Sequence, residues 1–293
     1  MRERRFGLGC ALVTPFTPQG AVDCPRLVVH ARRCFSGGCA TVTLFGTTGE
    51  GASVGLDERA AALEAIATAG FDMPREVFVG VAATSVEEAA AQANQLFAAG
   101  GRGVLLAPPF FFKNPGDEGL FRWFASVLER CAAPRGVILY HIPGMTAAPL
   151  TSALVHRLDA TFPGVITGIK DSSGTWTSAG RFIAEHPHLD VLIGDERLLP
   201  RAMRRGASGA ISGCANFCAE LMRRIVDRGV EVPGLAELVT LALQYPIVPA
   251  VKALAARRWR DDSLLATAPP LVAVDPDARR VLGAALDRML VGE

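Results

Sequence analysis

Lysine is almost missing from this chain. Of 30 basic residues in 293, only Lys113, Lys170 and Lys252 are lysines, so positive charge rests on arginine. Tyrosine is scarcer still, with two copies against 15 phenylalanines, and a position that keeps the phenol is expected to use its hydroxyl. No uncharged apolar span reaches the roughly 18 residues a transmembrane helix needs. The basic start Met1-Arg-Glu-Arg-Arg-Phe6 precedes an apolar stretch too short, and too soon broken at Pro15, to read as a secretory signal. The seven cysteines are odd in number and widely spaced, with no Cys-x-x-Cys pair. They read as buried apolar residues in a reducing compartment, and a cytoplasmic protein is expected. Neither Gly-x-Gly-x-x-Gly nor Gly-x-x-x-x-Gly-Lys occurs, which removes the usual signatures of dinucleotide and nucleoside triphosphate binding. A formal net charge of +1 gives no argument for nucleic acid or an anionic membrane as partner.

What is present is an alternation. Apolar, strand-like runs at 9–13, 39–45, 77–81, 103–107, 137–140, 165–169, 189–193 and 207–211 are each followed by a helical pattern. Gly37-Gly38 stops the first helix, Ser85 with Glu88 forms a capping box, and Asn216 is placed as the cap of a helix over 217–227. This cadence predicts an α/β protein, a (β/α)8 TIM barrel over residues 1–228, with an open doubly wound sheet as the alternative. Residues 229–293 then form a C-terminal helical extension packed on the barrel, with helices at 235–243, 248–258 and 277–290.

In a barrel, every residue that follows a strand reaches one face, where barrel enzymes keep their chemistry. For this chain those residues are Thr14, Thr47, Thr48, Phe110, Phe111, Tyr140, Lys170, Asp195 and Ser212. A lysine at the end of the run Val165 to Ile169 has three readings. It is a nucleophilic amine that forms a Schiff base, half of a buried ion pair, or a side chain snorkelling to water. An amine can lose its proton near neutral pH and attack a carbonyl, whereas a guanidinium cannot. Tyr140 lies one βα unit earlier and puts a phenol beside that amine. Gly46-Thr47-Thr48-Gly49 offers hydroxyls and backbone N–H groups suited to a carboxylate, or else a tight turn that satisfies itself. Strand alternation turns His141 away from whatever Tyr140 faces, so it reads as a hydrogen-bonding residue rather than a base. Of five histidines only His141 falls at a strand end, and His186-Pro187-His188 falls on the opposite face, so no metal site is expected.

Taken in order, Thr14-Pro15-Phe16, Gly46-Thr-Thr-Gly-Glu50, Pro109 with its aromatics, Tyr140-His-Ile-Pro-Gly144, Gly168-Ile-Lys-Asp171 and Gly194-Asp195 resemble the dihydrodipicolinate synthase and N-acetylneuraminate lyase family of class I aldolases. The resemblance runs from about Gly7 to the C-terminus. It implies a barrel with C-terminal helices, commonly a homotetramer built from tight dimers. It also implies an imine between Lys170 and the keto carbon of pyruvate or another 2-oxo acid, Thr47 and Thr48 on the carboxylate, and Tyr140 as the proton-relaying phenol. Gly46 and the backbone near Ile211 would face the intermediate. No cofactor is expected, because a protonated imine is itself the electron sink.

Two departures bear on the substrate. Synthases of the family resemble Tyr-Asn-Val-Pro-Gly-Arg-Thr where this chain has Met145, and that arginine pairs with the carboxylate of aspartate semialdehyde. They also resemble Thr-Pro-Tyr-Tyr where this chain has Phe110 and Phe111, which carry no hydroxyl. The distal part of the substrate would meet Met145, Phe111, Asp195 and Ser212, none of them a fixed cation. The expectation is therefore a lyase, aldolase or dehydratase, for a 2-dehydro-3-deoxy sugar acid. The alternatives are 4-hydroxy-tetrahydrodipicolinate synthesis from pyruvate and aspartate semialdehyde, then N-acetylneuraminate cleavage. A barrel kept only as a ligand-binding regulator could dispense with Lys170 or Tyr140, and both are present. The apolar Phe110-Phe111-Phe112 loop adds an expected partner, further copies of the chain, as a homodimer or homotetramer.

Overall fold

The computed structural model describes residues 6–291, and the basic stretch before Phe6 lies outside the described residues. Eight strands close on themselves in sequence order: β1 Gly7–Ala11, β2 Thr41–Leu44, β3 Val77–Val81, β4 Gly103–Leu106, β5 Val137–His141, β6 Ile166–Asp171, β7 Asp190–Ile193 and β8 Gly209–Ser212. Neighbours are parallel, and β8 pairs back on β1 through Gly9 opposite Ile211. The open-sheet alternative is thereby excluded. Alternation sorts the strand residues as a filled barrel requires. Ala11, Phe78, Leu105, Ile138, Tyr140, Leu192 and Ile211 cluster with Phe6 in the interior. Val42, Leu44, Val79, Leu106, Leu139, Ile169 and Val191 pack outward into the layer shared with the helices.

One irregularity decides where the lysine points. Val137 pairs with Ile166 but Ile138 pairs with Gly168, so Thr167 is an extra residue in β6. Such a bulge changes the phase of a strand. Ile166 packs with the outer core, whereas after the bulge Lys170 pairs directly with the interior residue Tyr140. Lys170 therefore lies within β6 rather than just beyond it. A second boundary shift has a different outcome: β8 extends to Ser212, with Ile211 facing the interior and Ser212 the helices.

The connections hold further corrections. Short helical turns at Met73–Glu76 and Pro143–Thr146 stand where the sequence pattern indicates plain loops, each with a proline in its first two positions. The capping box is real at its serine, whose Oγ accepts from the Glu88 N–H at 3.2 Å. Asn216 is no cap. It is wholly buried in the first turn of Ala215–Arg228, ahead of a break at Cys218, where its Oδ1 accepts from Val13 N–H (3.0 Å) and its Nδ2 donates to the carbonyls of Ala11 and Gly213 (both 2.8 Å). It thus stitches the end of β1 to the connection after β8. All seven cysteines are free thiols, and all but Cys24 are buried. The helices Leu235–Ala242, Ile247–Trp259 and Pro276–Val291 follow, and Trp259 Nε1 donates to the carbonyl of Asn216 at 2.8 Å. No helix of the described residues is long and apolar enough to cross a membrane.

Candidate active site

The lysine and the phenol meet at the C-terminal mouth of the barrel. Lys170 is 5% exposed, and its Nζ donates to Tyr140 Oη at 3.4 Å. Among the described residues no carboxylate pairs with it. A buried amine without a counter-ion is costly as a permanent structural element, which leaves the chemical reading of this lysine standing. Tyr140 Oη also lies 3.4 Å from Thr47 Oγ1, so amine, phenol and hydroxyl form a continuous chain across the ends of β6, β5 and β2. The buried ion pair considered for Lys170 exists, but on Lys252. That side chain is fully buried against Glu50, the last residue of the Gly46-Thr-Thr-Gly-Glu50 motif.

Thr47 and Thr48 sit half-buried on a tight turn after β2 whose shape is forced from several sides. Phe45 and Glu50 adopt left-handed backbone angles (φ 57° and 55°), uncommon for residues with side chains. Gly51 is obligatory, because a Cβ there would lie 1.8 Å from the Phe45 carbonyl oxygen. Thr14, expected at the mouth, spends its hydroxyl on the Gly49 carbonyl (2.6 Å). Arg59, buried and unremarked in the sequence, donates to the carbonyls of Gly51 (2.7 Å), Gly80 (3.0 Å) and Val54 (3.1 Å) and lies over the Phe45 ring. Thr14 and Arg59 thus hold the carbonyls at the end of the turn from outside it, while the N–H groups of Glu50 and Gly51 donate back to the Thr47 and Gly46 carbonyls within it.

The far side of the mouth differs from expectation. Ser212 is fully buried and donates to Glu196 Oε1 at 2.6 Å, since strand parity turns it outward. It is not placed to meet a substrate. Asp195 is held by Arg197 through two contacts, Nε to Oδ1 (3.0 Å) and a terminal nitrogen to Oδ2 (2.7 Å). Its carboxylate is therefore occupied within its own loop. Glu196, the neighbour that sequence reasoning passed over, is the acid that lines a cavity of about 100 Å³ with Thr48, Gly194, Gly213, Phe217 and Val251. Met145 is on the rim and 54% exposed. Phe111 and Phe112 are 72% and 77% exposed and stack edge to face, so they do not close over the mouth of their own chain. Gly46 and Ile211 are buried beside it. His141 faces away, its Nδ1 accepting from Leu150 N–H at 3.0 Å and its ring against Phe182. Burial holds its pKa below the usual imidazole range, so it is a neutral acceptor. Among the described residues no group of three or more His, Cys, Asp or Glu side chains is arranged to hold a metal ion.

Comparison with known proteins agrees with this arrangement. The dihydrodipicolinate synthetase family model matches residues 5–260. The chain is 32% identical to a DapA-like lyase of Chloroflexus aurantiacus, described as uncharacterized, over 100% of this chain and 99% of that protein. It is also 32% identical to the 4-hydroxy-tetrahydrodipicolinate synthase of Synechococcus sp. strain CC9605, over 94% of this chain and 92% of the relative. The crystal structure of dihydrodipicolinate synthase from Agrobacterium tumefaciens shares 45% identity and superposes with a TM-score of 0.94, covering 97% of this chain and 99% of that one. KD(P)GA from T. tenax shares the fold, with a TM-score of 0.85 at 22% identity. Barrel, mouth and relatives define a class I, Schiff-base-forming lyase that acts on a small 2-oxo acid. The chain belongs to the dihydrodipicolinate synthetase family.

Proposed function

We propose that Lys170 forms an imine with pyruvate and that the resulting enamine condenses with an aldehyde, the chemistry the family resemblance implies, and several relatives carry the name 4-hydroxy-tetrahydrodipicolinate synthase. The observation that carries this reading is the chain Lys170 Nζ, Tyr140 Oη and Thr47 Oγ1, each link 3.4 Å, around an amine with which no carboxylate of the described residues pairs. The amine adds to C2 of pyruvate, and the carbinolamine loses water with protons moved by the phenol. Thr47, Thr48 and the backbone after Gly46 hold the carboxylate. Loss of a C3 proton gives the enamine, whose C3 attacks the aldehyde carbon, and hydrolysis returns the free lysine. The protonated imine stabilises the carbanionic character at C3.

The synthase relatives at 32% and 45% identity support aspartate semialdehyde as the aldehyde, against the sugar-acid lyase expected from sequence. The sugar-acid aldolases of known structure are 18% to 22% identical and bear on the fold alone. A second reading rests on the distal side of the mouth. Met145 offers no charge there, and Arg197 is already paired with Asp195. A neutral, hydroxylated distal group suits that lining better than a second carboxylate.

One experiment addresses both readings. Borohydride reduction with pyruvate, followed by peptide mapping, is expected to give one adduct, on Lys170; an adduct elsewhere, or none with any 2-oxo acid, would overturn the mechanism. kcat/KM for pyruvate plus aspartate semialdehyde is then set against cleavage of 2-dehydro-3-deoxy sugar acids and of N-acetylneuraminate. Condensation is expected to win. A cleavage reaction faster by about 100-fold or more, roughly 2.7 kcal/mol, would replace the first reading with the second.

A further inference from the structure

The third lysine has no place in the chemistry above, yet it is among the most deeply buried side chains of the molecule. Lys252 lies on the helix Ile247–Trp259, outside the barrel, and reaches the Glu50 carboxylate with both side chains fully buried. It also donates to the Ala266 carbonyl and lies over the Phe16 ring, 4.6 Å from its centroid. The other Glu50 oxygen accepts from the Ala268 N–H at 2.7 Å. Glu50 thus binds two parts of the C-terminal segment from a strained position two residues after Thr48 (φ 55°). Its own N–H donates to the Thr47 carbonyl at 3.1 Å. The same helix approaches Thr48 through Val251, and both side chains come within 4 Å of the space over Gly213.

We infer that Lys252 and Glu50 are positioning residues that hold the turn Gly46–Gly49 in the shape that receives the substrate carboxylate, so that the C-terminal helices form part of the binding apparatus. The geometry favours this over a purely structural staple. The ion pair does not join two helices or close the core. It anchors, by way of a left-handed residue, the connection that carries Thr47 and Thr48 to the mouth. The other supports of that turn, Thr14 and Arg59, grip Gly49 and Gly51 by their carbonyls, and only Glu50 is gripped by its side chain from outside the barrel. The inference rests on the reading of Thr47 and Thr48 as the carboxylate anchor, and its test separates the two.

The test compares imine trapping by borohydride with pyruvate and with pyruvamide, which keeps the ketone but lacks the carboxylate. The variants are Glu50→Asp, which keeps both charges and shortens the reach, Lys252→Arg, which keeps the charge, and the doubly neutral Glu50→Gln with Lys252→Met, which leaves no buried unpaired charge. Folding is checked by circular dichroism and thermal unfolding. In the double variant the pyruvate concentration for half-maximal trapping is expected to rise by about 10- to 100-fold, with the saturated rate within about threefold and pyruvamide trapping unchanged. Glu50→Asp is expected to move the same way by less, and Lys252→Arg to keep most of the wild-type preference for pyruvate. A lowered Tm with an unchanged pyruvate dependence in folded Glu50→Asp or in the double variant would overturn the inference. Wild-type protein that traps both ketones alike, or a Thr48→Val variant that still prefers pyruvate, would overturn the carboxylate anchor itself.

Discussion

Tyr140 Oη is the hinge of the proposed proton path, 3.4 Å from both Lys170 Nζ and Thr47 Oγ1. Tyr140→Phe removes the relay but keeps the ring that fills the interior, so kcat is expected to fall by about 10²- to 10⁴-fold with a smaller change in KM for pyruvate. Pre-steady-state trapping should show imine formation slowed in the same proportion; a variant within about threefold of wild type would remove the phenol from the mechanism. His141, next along the strand, bears on stability. Burial is the main cause of its lowered pKa, with the Asp171 charge opposing and that of Arg181 adding to the fall. Buried His186 is lowered likewise, first by desolvation and then by His188. The unfolded chain takes up protons at these sites near the ordinary imidazole pKa while the folded chain does not. Stability is therefore full above about pH 6.5 and is lost as pH falls below it toward the lowered folded values. His141→Asn keeps an acceptor for the Leu150 N–H and removes the titration, so the fall in Tm between pH 7.5 and pH 5 is expected to be shallower than in wild type. An unchanged slope would mean that the acid sensitivity arises elsewhere.

At the scale of elements, strand order and the face that gathers Lys170, Tyr140 and Thr47 were legible, because a parallel strand covered on both sides reads as an apolar run whatever its ends do. The ends were not, and period-two alternation makes a one-residue error there a change of face. Ser212 was assigned to the mouth for that reason and belongs to the helix layer, where it serves Glu196. The Thr167 bulge left no readable mark in the sequence, although it sets the phase of Lys170. Long-range pairings were equally silent: nothing near Glu50 announces Lys252, and Arg59 looks like one more surface arginine until its three carbonyl acceptors are seen. Breaking the Glu50–Lys252 pair on one side alone should cost about 3–5 kcal/mol, since the remaining charge would stay buried.

At the scale of the whole molecule, the loop after β4 carries an unfinished surface. Phe111 and Phe112 stand mostly in water, and the Asn114 N–H donates to the Ala147 carbonyl at 2.9 Å, tying this loop to the turn that bears exposed Met145. Three large apolar side chains thus project from two linked loops beside the mouth. Covering each ring would gain about 1.5–3 kcal/mol, enough in combination to centre a subunit contact and too much to leave exposed without cause. We expect the chain to assemble through these loops as a dimer or a pair of dimers, with partner side chains reaching the rim of the active site. Light scattering at micromolar concentration should give at least twice the monomer mass for the wild type, and Phe111→Ser with Phe112→Ser should shift it toward the monomer while the far-ultraviolet circular dichroism stays the same. The same variant is expected to lose kcat/KM for the aldehyde more than the ability to trap pyruvate on Lys170, because Lys170, Tyr140 and Thr47 all come from one chain. A wild type that scatters as a monomer would refute the assembly, and a double variant that stays oligomeric would move the contact to another face.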